Sequence, residues 1–418
     1  MKIAIAGLGT VGDEVALWLQ EQGAEYGLEL VAVSARSKDK KRKADIHALD
    51  WYEDAEKLVE LDIDIIIELI GGETGIAENL IEKALQNGKH VITANKALLA
   101  QKGVVLAKLA EKNNLFLGYE AAIAGGIPIV KILKEGLRSN QIYRICGVLN
   151  GTCNYILSQM EKHGGELLPS VAKAQELGYA EEDPSFDIGG MDSAHKLALL
   201  SALSFGVRPS IKDIHIEGIE AVEPIDISLA NRLGFSIRLL GMAQKEEGGI
   251  SQIVEPVLVP KNSSLGKIEG ASNGILIEGD MIGELFLQGP GAGGRETASA
   301  VLSDLLDCVS VGKTNAFGVA AEKLVPFTAS LASEQRWYIR LSLADEPGSM
   351  AKLTAELAKH NISIEEILQS PEEEEKGFLP VVIITHEAPR SHVTDALQHI
   401  EKNNHSVLWP VFHSKEQI

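Results

Sequence analysis

Cysteine is scarce in this sequence: Cys146, Cys153 and Cys308 are the three among 418 residues. So few thiols, so spaced, build neither a disulfide framework nor a CxxC-type metal site, and they fit a reducing compartment. Long apolar runs are missing as well. No stretch reaches 18 uninterrupted apolar residues, so no membrane-spanning helix is expected. The opening MKIAIAGLGTVG lacks the apolar stretch and small-residue cleavage site of a secretory signal, and a cytoplasmic location is expected. Positive charge is in deficit: 39 Lys and Arg stand against 59 Asp and Glu, a formal charge of −20. That balance argues against a nucleic-acid or anionic-membrane binder. What is present is ordinary globular chemistry, 45% apolar and 23% charged, with length for two or three domains.

The first 130 residues alternate between strand and helix patterns. KIAIA at 2–6 reads as a strand, Gly7-Leu8-Gly9-Thr10-Val11-Gly12 follows at once, and 14–23 reads as a helix stopped by Gly23. This setting is what makes GxGxxG informative. Gly7 permits the tight turn, Gly9 lets the backbone approach a pyrophosphate, and Gly12 lets helix and strand pack closely. The helix start supplies free N–H groups for phosphates. The next strand, 28–36, runs into Ser34-Ala35-Arg36-Ser37-Lys38. An NAD site places a carboxylate there for the ribose hydroxyls. Arg36 and Lys38 suit a 2′-phosphate instead, so NADP is favoured over NAD; the plainer reading is an exposed basic loop that continues as KKRK at 40–43. Strands at 63–70, 89–93 and 115–120 alternate with helices at 76–88 and 97–113. The pattern predicts a Rossmann-type α/β unit, a parallel sheet with helices on both faces, over residues 1–130. Ligands in such a sheet meet the carboxyl ends of the strands, where Thr93, Asn95 and Lys96 fall. Lys96 is placed for a nicotinamide, for cofactor phosphates or for a substrate carboxylate, or is a surface lysine at a helix start.

Beyond residue 130 the rhythm changes to a mixed α+β region over 131–289. AAIAGGIPIV at 121–130 is a backbone-led turn entering a helix, suited to aiming carbonyls at a monovalent cation, to passing a cofactor, or to packing as a hinge. The turn Asn150-Gly151-Thr152 offers amide and hydroxyl donors to a small polar ligand, and Cys153 after it reads as a buried helix cysteine, with no base in sight to activate it. The densest polar block is ELGYAEEDPSFDIGGMDSAHK, carrying Glu181, Glu182, Asp183, Asp187, Asp192, His195 and Lys196. Asp192 and Lys196 share a helix face at i,i+4. On an exposed face such a pair is ordinary. Beside several carboxylates at the start of an apolar helix, it suits binding an α-amino acid and moving a proton at a neighbouring oxygen. The segments 214–222, 251–260 and 275–289 read as strands. GPGAGGRETASAV then leads into a helix starting near Thr297, which returns the chain to the nucleotide unit (completed by about 290–317) and brings Gly294 beside the cofactor.

Taken in order, GLGTVG, TANKALLA, NGTCNYIL, EEDPSFDIGGMDSAHK and GPGAGGRETASAV resemble a homoserine dehydrogenase of the bacterial type with a C-terminal regulatory domain, across nearly the whole chain. The resemblance implies interconversion of L-homoserine and L-aspartate 4-semialdehyde with NAD(P), in threonine, methionine and isoleucine biosynthesis. It puts Lys196 on the catalytic lysine, Asp187 on an active-site aspartate, Glu181 and Asp192 on substrate-binding acids, and Lys96 near nicotinamide and substrate. Leu8, Thr10 and Val11 fall on phosphate-loop contacts. A structural monovalent cation, usually Na⁺, is implied at Glu120, Ile123, Gly125 and Ile127, mostly through backbone oxygens. One departure is visible: Cys153 stands where the family has a second threonine, with similar size and no hydroxyl.

After a linker at 318–334, residues 335–413 follow a βαββαβ order, with EEEEKG as a solvated turn, which predicts a ferredoxin-like domain. It resembles an ACT domain. That implies amino-acid sensing with threonine as the expected effector, meeting Asn361-Ile362 or Pro347-Gly348-Ser349, and self-association as a homodimer or homotetramer; a purely structural pairing module is the alternative. For the whole chain, the competing reading is a catalytically silent sensor of nucleotide and amino acid.

Overall fold

The computed structural model describes residues 1–311, 314–330, 334–370, 378–400 and 406–413. Apolar β-type runs near the N-terminus become a six-stranded parallel sheet. Its strands are β1 (Lys2–Ala6), β2 (Glu29–Ser34), β3 (Asp50–Tyr52), β4 (Ile65–Glu68), β5 (His90–Thr93) and β6 (Leu117–Gly118), ordered β3-β2-β1-β4-β5-β6. Both faces of β1 and β4 are buried, which is why IAIA and IIIE show no alternation of apolar and polar residues. On one face, α1 (Thr10–Gln22) and the returning helix Gly294–Ser310 bury Val15, Leu19, Val301 and Leu305 against Ile3, Ile5 and Ile67. On the other, α2 (Ile76–Gln86) and α3 (Lys96–Lys112) bury Leu80, Ile81, Leu98 and Leu106 against Ala4 and Ile66. The strand order reverses between β1 and β4, which opens a crevice at their carboxyl ends.

Strand β3 is absent from the sequence reading. It has three residues, DWY, too few to show a period. The returning helix starts at Gly294 rather than near Thr297.

The second sheet has eleven strands and mixes the middle of the chain with its C-terminal part. From one edge its path runs through Gly283–Pro290, Ser272–Gly279, Ile142–Val148, Phe235–Glu246 and Gly249–Pro260. The expected strand at 214–222 is only His215–Ile216; a helix, Pro224–Arg232, and the strand Phe235–Glu246 lie where the sequence reading placed turns. The helix signal was present: Glu223 and Asp226 form a reciprocal capping box with Pro224 at the first turn.

A single parallel pair, Leu258 with Val411, continues this sheet into the C-terminal domain. There the strands Glu334–Ala344, Ile364–Gln369, Phe378–Thr385 and Val407–Val411 stand in the spatial order fourth, first, third, second, with helices Ser349–Lys359 and Arg390–Ile400 between them in sequence. Period-two alternation sends Ile339 and Leu341 toward these helices and Tyr338 and Arg340 toward the middle domain. The EEEEKG turn lies outside the described residues. Among the described residues no helix is long and apolar enough to cross a membrane.

Candidate active site

The helix Met191–Phe205 runs through the interior, with Asp192 to Ala202 all buried. It starts abruptly because Gly190 takes φ +85°. The i,i+4 spacing sets Asp192 and Lys196 on one face. The Lys196 amine donates to Asp192 Oδ2 at 2.7 Å and to the Leu149 carbonyl at 2.7 Å. Leu149 follows the strand Ile142–Val148, and Asn150 caps the next helix, Gly151–His163, by accepting from the Cys153 N–H at 2.8 Å. The Asn150 amide donates to Asp192 Oδ2 and to Asp187 Oδ1, each at 2.8 Å. Lys96, in the first turn of α3, reaches Asp192 Oδ1 at 3.1 Å. Asp192 is therefore the hub of the cluster, and the helix carrying it comes from a different domain than Lys96.

Burial opposes ionisation of Asp192, yet Lys196, Lys96 and the hydrogen bonds from Lys196 and Asn150 outweigh it and hold the carboxyl well below the usual range. Asp187 moves the other way. Burial raises it first and the neighbouring Asp192 charge adds to this, against Asn150 and the two lysines. Two carboxylates that share the Asn150 amide as donor are thus shifted in opposite directions. Lys196 is 9% exposed and uses two of its three N–H directions, which leaves one for the cleft.

That cleft measures about 610 Å³ and is lined by Lys96, Asn150, Gly151, Thr152, Glu181, Asp187, Asp192 and Lys196, with Ile123 and Gly125 at its side. Glu181 is exposed, and the Thr152 hydroxyl donates to the Tyr179 carbonyl at 2.6 Å. Cys153 is fully buried; its thiol donates to the Asp187 carbonyl at 3.2 Å, and burial pushes its pKa well up.

The glycine loop meets the geometric demands of a dinucleotide cradle. Gly7 has φ +105°, and a Cβ on Gly12 would lie 2.0 Å from the Gly7 carbonyl oxygen. A Cβ on Gly9 would meet nothing within 4 Å, so that side is open to a ligand. Thr10 is exposed, Val11 half-buried and Leu8 buried beneath them. Gly294 abuts the same loop, where an added Cβ would sit 2.7 Å from Thr10 Cγ2. Arg36 and Lys38 are exposed after β2, away from the cleft lining, and the Arg42 guanidinium ties their loop together through the carbonyls of Ser37, Lys38 and Lys40.

The turn from Glu120 to Ile127 is buried except at Gly126, with Gly125 at φ +57°. The Glu120 carboxylate accepts from the Val130 and Lys131 N–H groups at 2.8 Å each, so its side chain is committed to the start of the next helix.

Several contributors escaped the sequence reading. Glu68 is fully buried at the end of β4 and accepts from the Ile70 N–H at 2.7 Å, the Gly71 N–H at 2.8 Å and the Thr93 hydroxyl at 2.5 Å. Thr93 in turn accepts from the Asn95 N–H at 3.0 Å, and Asn95 caps α3 and donates to the Gly72 carbonyl at 2.7 Å. Thr93 thus faces this network, which fixes the start of α3 and with it Lys96. The visible signal was an acid closing an otherwise apolar strand. Asn273, which donates to the Leu149 carbonyl at 3.1 Å, gave no signal.

Three family models match the chain: homoserine dehydrogenase over residues 128–306, the homoserine dehydrogenase NAD binding domain over 7–120, and the ACT domain over 337–402. A homoserine dehydrogenase of Neisseria gonorrhoeae is 38% identical over 423 residues, covering 96% of this chain and 95% of that protein. The crystal structure of a homoserine dehydrogenase from Thiobacillus denitrificans superposes with a TM-score of 0.90 at 35% identity, over 99% of this chain and 98% of the other. A more distant structure, a hyperthermophilic archaeal homoserine dehydrogenase in complex with NADPH, gives a TM-score of 0.63 at 27% identity over 75% of this chain and 98% of its own.

Proposed function

The chain belongs to the homoserine dehydrogenase family, and from that premise we propose how its own residues carry the interconversion of L-homoserine and L-aspartate 4-semialdehyde. A nicotinamide dinucleotide, when bound, supplies or accepts the hydride at C4. The protein handles the proton. In the reductive direction the Lys196 ammonium gives its free N–H to the aldehyde oxygen as that oxygen becomes an alkoxide; in the oxidative direction the amine takes the proton back. The observation that carries this reading is the Lys196 amine, fixed by Asp192 and the Leu149 carbonyl with one donor left on the cleft.

Asp192 already takes three donors, so it acts through Lys196 and Lys96. Glu181, exposed on the cleft, takes the substrate ammonium, and Lys96 takes its carboxylate. Asp187 has a raised pKa, which suits passing a proton between the oxygen and solvent. Asn150, Gly151 and Thr152 form the wall behind the substrate.

The open side of Gly9 and the free N–H groups at the start of α1 suit the pyrophosphate. The exposed Arg36 and Lys38, and the missing carboxylate after β2, support NADP, as does the archaeal relative solved with NADPH. The buried turn with carbonyls at Glu120, Ile123, Gly125 and Ile127 supports a Na⁺ site. Threonine is the proposed effector of the C-terminal domain, near Asn361 (φ +57°) or Gly348 (φ +99°). The edge strand Gly283–Pro290, with exposed Met281 and Ile282 beside it, supports self-association as a homodimer or homotetramer. Three buried free thiols fit a cytoplasmic setting, and the proposed activity would place the chain in threonine, methionine and isoleucine biosynthesis.

The test is absorbance at 340 nm with homoserine and NADP, then NAD, each with and without threonine. Homoserine-dependent reduction that is faster with NADP and slowed by threonine is expected. Absence of any change with both cofactors returns the silent sensor.

A further inference from the structure

Among the described residues, two groups bring three ligand atoms within 4.8 Å of one another: His215, Glu217 and Glu255, and Glu356, His360 and His399. The first is already filled. The Arg390 guanidinium donates to the Glu255 carboxylate, and Trp409 Nε1 donates to Glu217 Oε1 at 2.8 Å. A guanidinium in that position repels a metal cation.

The second group is built differently. Glu356 lies in the helix Ser349–Lys359 and His360 caps its C-terminal end, so the two share a face at i,i+4, with His360 Nε2 3.6 Å from Glu356 Oε1. His399 comes from the last turn of the helix Arg390–Ile400, its ring centroid 5.6 Å from that of His360. His399 Nδ1 lies 2.8 Å from the Asp395 carbonyl oxygen. A carbonyl only accepts, so Nδ1 carries the hydrogen and Nε2 presents its lone pair, the arrangement that orients a metal-binding histidine. Both histidines sit where a helix dipole favours positive charge. The cation now on the carboxylate is Lys359, bound to Oε2 at 2.6 Å with its own side chain 68% exposed; this leaves Oε1 turned toward His360.

We propose that Glu356, His360 and His399 form a divalent transition-metal site of the zinc class, two imidazole nitrogens and one carboxylate oxygen, with water as the fourth ligand. Partly exposed side chains need only small rotamer changes to reach metal bonds of about 2.0–2.2 Å. The ion joins the two helices of the C-terminal domain and, binding only the folded form, stabilises it. It lies apart from the cleft that holds Lys196.

Equilibrium dialysis of the untagged full chain against Zn²⁺ alone, followed by metal analysis, is expected to find one ion per chain at this site. It is lost in His360→Gln and in His399→Gln, is weakened at least about tenfold in Glu356→Gln, and persists in His392→Gln, an exposed histidine of the same helix as His399. Zn²⁺ is expected to raise the thermal midpoint of the wild type and not that of His399→Gln. Homoserine turnover in all four variants matches the wild type, which also reports that they fold. No uptake by the wild type, or equal uptake in the wild type and both histidine variants, overturns the proposal.

Discussion

Asp192 holds two lysines and an asparagine while buried, and the cost of burying its charge is met by those partners. Asp192→Asn removes the counter-charge that fixes the Lys196 amine, and kcat is expected to fall about 10²- to 10³-fold, read by steady-state kinetics. Cys153→Thr should stay within about threefold of wild type, because a threonine hydroxyl can make the same hydrogen bond to the Asp187 carbonyl. The pH profile separates the two acids. Asp192 is ionised throughout the working range, whereas Asp187, raised by burial and by Asp192, loses its charge as the pH falls through its elevated pKa. The acid limb of kcat/KM should therefore lie above the ordinary aspartate range and disappear in Asp187→Asn. These acids were legible as a dense polar block in the sequence. Which of them meets lysine and which stands apart was not, since that depends on Leu149 and Asn150 arriving from a strand some forty residues earlier.

At the scale of elements, most of the nucleotide unit could be read from its order because β1, β4 and β5 are buried on both faces and α1 and α2 are followed by Gly23 and Gly88. The middle domain resisted. Its strands are long and mostly antiparallel, and Phe235–Glu246 is buried without a break from Ser236 to Gly241, so no alternation marks that run against a helix. The returning helix illustrates a cost hidden from sequence. Burial pushes the Asp304 carboxyl up to about 7, while it accepts from the Glu120 N–H at 2.7 Å. A carboxyl whose folded pKa is raised contributes stability that is full below its unfolded pKa near 4 and is lost as pH rises through about 7. Asp304→Asn keeps an acceptor for Glu120 and should flatten the fall in thermal midpoint between about pH 4 and 7, with a gain above about pH 7 on the order of 1 kcal/mol. An unchanged pH dependence would show that Asp304 is not the group responsible.

For the whole molecule, the question is how the C-terminal domain is tied to the catalytic one. The strand pair Leu258–Val411 is a slender join. The stronger link is polar: Asp226, fully buried in the helix Pro224–Arg232, accepts from Arg340 Nε at 2.6 Å, Arg340 Nη2 at 3.0 Å and the Tyr338 hydroxyl at 3.0 Å. Removing one partner of such a pair strands the other charge, so Arg340→Met should cost about 3–5 kcal/mol in denaturant unfolding. The double variant Asp226→Leu with Arg340→Met should recover much of it. A single variant as stable as the wild type would mean that the domains are held by apolar contact alone. This link joins the C-terminal domain by direct contacts to the domain that carries Lys196.

The most direct measurement is stopped-flow and steady-state turnover of Lys196→Met beside its affinity for NADPH, read by fluorescence. Proton transfer by this amine predicts a loss of at least about 10³-fold in kcat with the cofactor dissociation constant within about threefold of wild type. Turnover close to wild type with the cofactor bound normally would contradict it.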